Sequence, residues 1–245
     1  MVKISALVSF PLVVSTLLVA PSISHADIQA VSCLVGPSRS AVLSSGVPGL
    51  LETINVQRGE EVERDQVLFS LNSDVEEASL ALESARVAFA QRTLQRNQRL
   101  IERGILSESE RDEMDTELSM ARLQAGLAEA RIADRMIQAP FPGIIASLDS
   151  EEGEYIDNTP VMQLVQMDPL ELELVLPLNA FGRFSVGEVL DVELIEPIGE
   201  IMPAEITSID RFIDPSSGTF VIYLTLDNAE NTIPPGINCR LPNGW

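Results

Sequence analysis

Apolar and small side chains recur in alternating steps of three and four through Val75, Ala78, Leu82, Ala85 and Phe89. That spacing lines one face of an α-helix. A second stripe, Leu80, Val87, Leu94 and Ile101, returns every seventh residue on a neighbouring face. The stretch RLIERGILSESERDE then breaks the pattern. Arg103-Gly104 reads as a helix stop, and Ser107 with Glu110 three residues later reads as a capping box opening a new helix. Met114, Leu118, Ala121, Ala125, Ala128 and Ile132 carry the period onward. The spacing therefore predicts two antiparallel arms of about 40 Å each, at 1.5 Å per residue. The first stripe is expected to form the seam with the return helix, where small residues permit close approach. The second either broadens that seam or meets a neighbouring copy.

Outside the arms the period falls to two. LELELVLP and VLDVELIEP alternate apolar with mostly acidic residues, the signature of half-exposed antiparallel strands. Further strands are expected over Ile206 to Ile213, Phe220 to Leu226 and Ile237 to Leu241, with a short helix and turn across Phe181 to Gly187.

Two segments repeat. GLLETINVQRGEEVERDQVLFSL from Gly49 and GIIASLDSEEGEYIDNTPVMQLV from Gly143 run in register, matching Gly59 with Gly153, Val62 with Ile156 and Val67-Leu68 with Val161-Met162. Each reads as strand, glycine turn, short strand, strand. Neither half can bury a core alone, so the two are expected to pack face to face.

Charge and composition narrow the chemistry. Lys3, the apolar run Ile4 to Ala20 and Ser24-His25-Ala26 describe a secretory signal peptide over residues 1–26. Its removal takes the sole lysine and the sole histidine, leaving arginine alone against 37 acidic residues. Without His or Lys, ordinary acid–base, Schiff-base and imidazole–metal chemistry have no residues to use, so no enzyme, catalytic residue, cofactor or metal site is expected. A formal net charge of −21 also disfavours nucleic acid as a partner. Six methionines beyond Met1 suit packing better than Cu(I) capture.

The repeat resembles the two halves of a biotinyl/lipoyl domain, with helical arms where that family carries its modified lysine. With Gln138-Ala139-Pro140-Phe141-Pro142-Gly143 entering the second half, the order resembles the periplasmic adaptor family, the HlyD-like membrane fusion proteins of tripartite efflux and secretion pumps. The resemblance implies an α+β, mainly β fold. A split lipoyl-like β-sandwich is interrupted by an antiparallel α-helical coiled-coil hairpin and followed by a small antiparallel β-barrel. The expected divisions are 27–45 (a strand joining the barrel), 46–72 and 138–166 (the two halves), 73–137 (the hairpin) and 167–245 (the barrel).

The resemblance also implies function. It places an adaptor in the periplasm between an inner-membrane transporter, of RND or ABC type, and a TolC-like outer-membrane channel, assembled as a trimer or hexamer. Arg96, Leu100 and Ser107 match the family's tip motif, which contacts the channel. Cys33 and Cys239 fall in strands assigned to the barrel, and in an exported, oxidising setting the pair is read as a disulfide. The sequence stops at Trp245, so the membrane-proximal domain of larger adaptors is not expected. The alternative reading is a periplasmic solute- or metal-binding accessory protein of the same architecture.

Overall fold

The computed structural model describes residues 30–242, so the signal-peptide reading lies outside the described residues. Twelve strands and two long helices follow in order. They are β1 (Ser32–Leu43), β2 (Gly49–Ile54), β3 (Glu61–Val62), β4 (Val67–Leu71), α1 (Asp74–Glu102), α2 (Glu108–Ala133), β5 (Met136–Gln138) and β6 (Gly143–Leu148). After them come β7 (Tyr155–Ile156), β8 (Met162–Pro177), β9 (Val189–Leu194), β10 (Ile201–Ile209), β11 (Thr219–Leu226) and β12 (Cys239–Arg240). The fold is mainly β, with two helices, as the periodicities predict.

Two hydrophobic cores organise the strands. The first gathers Leu51, Val62, Leu68, Phe69, Leu71, Ile145, Ile156 and Met162 with their neighbours, all from the repeated segments or their flanks. No side chain of α1 or α2 belongs to it. The second gathers the inward faces of β1, β8, β9, β10 and β11, including Leu172, Leu174, Leu190, Ile206 and Leu224. Full burial of each such leucine or isoleucine contributes about 1.5–3 kcal/mol, which fixes which face of each alternating strand turns in.

The second sheet runs β12-β9-β10-β11-β8, and β1 pairs with β8. It curls until its ends meet: Val35 N–H donates to Ile237 O (2.9 Å), Gly236 N–H to Val35 O (2.7 Å), and Leu34 bridges Asn238. Strand edges that would otherwise stay open are thereby paired. Strands β1 and β8 run side by side through both cores, β8 passing unbroken across the predicted boundary at 166/167. In the loop before β12, buried Asn228 donates to Met167 O and Ile233 O and accepts from Ile233 N–H. Asn231 Nδ2 reaches Glu61 Oε1 at 2.7 Å, tying that loop to the first repeat.

Several sequence boundaries shift. The short helix is a single 3₁₀ turn at Leu178–Ala180 rather than a helix over Phe181 to Gly187. β10 starts at Ile201 and ends at Ile209; the chain bends at Arg211, and Asp214 pairs only as an isolated bridge with Thr219 across the turn at 215–218. β12 keeps two of the five residues expected for it.

Candidate functional site: the helical hairpin and its tip

The hairpin grows from the first core. Arg135, just past α2, donates to Asn72 O (2.8 Å) and pairs with Glu76 Oε1 (2.6 Å), clamping both feet. Near the far end Asn97 Nδ2 donates to Met114 Sδ at 3.4 Å. The sequence numbers of Glu76 and Arg135 add to the same total as those of Asn97 and Met114, so α1 and α2 keep one antiparallel register from foot to tip.

The seam is not the one expected on α1. Val75, Leu82 and Phe89 are exposed, Phe89 to 63%. The line facing α2 is Leu80, Val87, Leu94 and Ile101, half-buried and interleaved with Glu76, Glu83, buried Ala90 and Asn97. On α2 the expected residues do line the seam, with Leu118, Ala121 and Ala128 buried. The polar seam residues are satisfied: Glu76 by Arg135, Glu83 by Arg86 (3.0 Å) and Asn97 by Met114.

At the tip, α1 ends on a left-handed glycine, Gly104 at φ +66°. Gly104 N–H donates to Ile101 O and Ile105 N–H to Leu100 O, each at 2.9 Å, the paired bonds of a Schellman stop. Two residues later Ser107 caps α2. Its Oγ accepts from Glu110 N–H (3.2 Å) and donates to Glu110 Oε2 (2.7 Å), while that carboxylate also accepts from Ser107 N–H (2.8 Å). The backbone N–H of Ser107, and then its hydroxyl, hold the Glu110 carboxyl below the usual carboxylate range. The cap uses one Ser107 lone pair and its proton, leaving one lone pair for a visitor.

The other two predicted tip residues sit on α1. Arg96 is exposed one turn before Leu100, its guanidinium donating to Thr93 Oγ1 at 3.2 Å. Leu100 is 36% exposed, and its carbonyl receives the Ile105 amide. Ile105, 62% exposed, adds an apolar side chain that sequence reasoning overlooked. Its signal was an aliphatic residue between a helix stop and a cap, where no seam position falls. The tip thus offers a cation, two apolar side chains and a hydroxyl on a rigid double-capped turn.

At the opposite end of the molecule Cys33 and Cys239 form a disulfide with Cα atoms 4.9 Å apart. Beside it Arg240 grips Glu193 through two bonds of 2.7 and 2.6 Å. Those bonds lower the Glu193 pKa. Among the described residues no three His, Cys, Asp or Glu side chains converge as a metal-ligand set, and no helix is long and apolar enough to cross a membrane.

No protein-family model matches the chain. The multidrug resistance protein MdtA of Klebsiella pneumoniae is 26% identical over 235 residues, covering 84% of this chain and 56% of MdtA. The chain spans about half the length of the curated relatives it matches. Among solved structures, a MacA–MexA chimera carrying the Pseudomonas aeruginosa MexA α-hairpin domain superposes with a TM-score of 0.78 at 14% identity, over 89% of this chain and 82% of the chimera. The membrane fusion protein Spr0693 of Streptococcus pneumoniae superposes with a TM-score of 0.68 at 14% identity, over 85% and 98% of the two chains. The resemblance read from the split repeat and QAPFPG is therefore borne out: the chain is similar in sequence to MdtA and shares its fold with a solved membrane fusion protein and with the MacA–MexA chimera.

Proposed function

We propose that this chain, with its membrane fusion protein fold, is a non-enzymatic periplasmic adaptor linking an inner-membrane transporter to an outer-membrane channel for efflux or secretion. The observation that carries the reading is a stiff hairpin, held at one register along its length, that projects from a core to which it contributes nothing. Such an arm reaches about 40 Å without disturbing the body, which suits a spacer between two membranes. In this reading residues 46–72 and 138–166 are the lipoyl-like halves, 73–137 the hairpin and 167–245 the barrel, exported behind a signal peptide over 1–26.

The channel contact belongs to Arg96, Leu100 and Ser107. Leu100 would fill a groove between two channel helices, while Arg96 and the spare Ser107 lone pair would meet exposed polar groups at a helix end. The adaptor works as a homo-oligomer, a trimer or a hexamer, alongside an RND or ABC transporter.

The test is Leu100→Asp in cells and in the purified protein. Export should be lost while the thermal transition barely moves, since an exposed substitution changes stability by about 0.5 kcal/mol or less. Equal loss of folding and export would sink the reading of this tip.

A further inference from the structure

We propose that the loop end of the second core, where Leu178, Phe181, Val186 and Phe212 stand exposed beside Arg183 and Arg211, is a lipid-contact face that seats the protein on the anionic surface of a phospholipid bilayer. The face stands apart from the adaptor reading, because it depends only on two loops and the strands that hold them.

The strands bring both loops to one end. β8 leaves the first core at Met162 and runs to Pro177, where Thr219 pairs with it and Leu178 N–H donates to Gly218 O at 2.9 Å. One loop, 178–188, leads from there to β9, and the other, 210–218, joins β10 to β11. The first is stitched to β10 by Gly187 N–H to Ile206 O and Ile206 N–H to Glu188 O, each at 2.8 Å. The hairpin grows from the first core, at the other end of β8.

What the loops expose differs from the walls behind them. Phe212 is 75% exposed and Val186 64%, and Leu178 and Phe181 are exposed beside them. Phe181 rests edge-on against Phe220 with ring centroids 5.2 Å apart, so its outer face is held outward. The segment 167–242 is rich in acids and carries only the arginines Arg183, Arg211 and Arg240. Arg240 is taken up by Glu193. Arg183 and Arg211 are exposed in the two loops and are not ion-paired among the described residues.

The carboxylates of the loops are drawn back. Glu188 accepts from Ser185 N–H (3.0 Å), Asp214 accepts from Ser216 N–H (2.8 Å) and Oγ–H (2.6 Å), and Asp210 is half-buried. Along β8 the nearest wall carboxylate, Glu173, lies about 13 Å behind Pro177, at about 3.3 Å per residue. That exceeds the screening length of about 8 Å at physiological salt. An anionic surface that meets this end therefore meets cations and apolar tips, and it meets the acidic walls only if the molecule tips over.

A bilayer fits the face better than a folded partner. A stable protein interface needs about 800 Å² of closely packed surface on each side. Here each apolar tip stands on its own turn, separated from the next by Gly182, Ser185 and Gly187 or by the gap between loops. A headgroup layer accepts separate tips, since apolar side chains reach the acyl boundary while arginines stay level with the phosphates. The entry of the chain points the same way. Val31 N–H donates to Val175 O, so β1 is entered at this end, and the apolar run Ile4 to Ala20 is tethered to it rather than to the hairpin.

Fluorescence quenching by lipid tests this on the full chain. Phe212→Trp or Val186→Trp, each with Trp245→Phe to remove the sole native tryptophan, places one reporter on one loop, and circular dichroism checks that each protein folds. Vesicles of phosphatidylcholine and phosphatidylglycerol with brominated acyl chains should quench both reporters. Val42→Trp in the same background, exposed on β1 beside the first core, should stay bright on those vesicles. Attachment through the apolar N-terminal run alone would leave both loop reporters bright and overturn the proposal, as would equal quenching at Val42→Trp. Loop reporters that stay bright on every vesicle would remove the lipid face and leave a protein partner as its occupant. As a second arm, Arg183→Gln with Arg211→Gln should cut the loop quenching several-fold on the anionic vesicles and bring it to the level seen with phosphatidylcholine alone. Unchanged quenching would overturn the headgroup role of the arginines. Leu100→Asp should leave the quenching as it was, so failure of the channel contact and failure of this face read out separately.

Discussion

The amide of Gly59 donates to the carbonyl of Ile145 over 2.8 Å, and the equivalent residues of the other repeat return the bond, Gly153 N–H to Leu51 O, also at 2.8 Å. The neighbouring pair follows suit, with Ile145 N–H to Glu60 O at 3.0 Å and Leu51 N–H to Glu154 O at 2.8 Å. Each half therefore lends its glycine turn to the other half's first strand. The two segments are interlocked rather than stacked, with β2 on β7 and β3 on β6. This exchange explains why the spacing is matched so closely: shifting one copy by a residue would unmake bonds in both.

The glycines within this exchange should respond differently to a methyl group. Gly59 and Gly153 have φ of +83° and +90° with open space around them, so alanine there costs left-handed strain of about 1–2 kcal/mol. Gly143 is different, since a Cβ would collide with the backbone carbonyl of Val165 on β8. A backbone contact cannot swing away, and Gly143→Ala should cost about 1–3 kcal/mol as overpacking. Urea melts of the three variants, read against the wild type, check the values. A neutral Gly143→Ala would show that β6 and β8 are less tightly apposed than described.

The hairpin should be removable. Arg135 and β5 belong to the body, since β5 pairs with β4 and the Arg135 guanidinium holds Asn72 O. Excising 74–134 and joining Ser73 to Arg135 through a short glycine turn should leave a protein whose first core is intact, because no excised side chain contributes to it. Dispersed methyl resonances and a cooperative melt are expected, together with loss of most of the helical dichroism. Failure to fold with every linker tried would show that the arm is needed to bring the two halves together.

Much of this architecture was legible because its signals are local. The Ser107–Glu110 box, the Arg103-Gly104 stop and the strand alternation in LELELVLP each need only neighbouring residues to be read. The α1 seam was misread because two apolar stripes competed. The cleaner one, Val75, Leu82 and Phe89, faces solvent. The true inner line carries Glu76, Glu83 and Asn97 among its apolar members, and their partners Arg135, Arg86 and Met114 come partly from the far side of the hairpin. Polar residues whose partners lie across a turn look like surface in a single sequence. The shared role of β8 was hidden for a related reason, since one strand serving two cores has no break to mark where one ends.

Acidification should loosen the tip before the rest of the arm. The Glu110 carboxyl titrates below the usual glutamate range because Ser107 hydrogen-bonds to its charged form. A depressed folded-state value means that the box contributes its full stabilisation above the unfolded pKa of about 4.3 and loses it as pH falls through the lowered folded value. Carboxyl-carbon titration by NMR should give Glu110 a midpoint below the exposed glutamates of α2. Amide exchange at Ser107, corrected for intrinsic rates, should accelerate over the same interval. In Ser107→Ala the midpoint should rise only part of the way back, because the hydroxyl is lost while the backbone N–H of residue 107 still donates to the carboxylate.

The two chain ends of the second core are tied by Cys33–Cys239, which closes a loop across a sequence separation of 206. Both cysteines are buried in that core, and β12 otherwise holds to β9 through only two paired residues, Cys239 and Arg240. A loop of that length is worth up to about 5 kcal/mol in the chain-entropy account. The Arg240–Glu193 fork is exposed on the arginine side and cannot replace it. Non-reducing peptide mapping should recover the 33–239 link. Reduction should lower the melting transition of the curled sheet while leaving the helical dichroism of α1 and α2 near its starting value at the same temperature. If reduction melted the helices in step with the sheet, the hairpin would have to depend on the second core, and the separability of arm and body on which the spacer reading stands would fail.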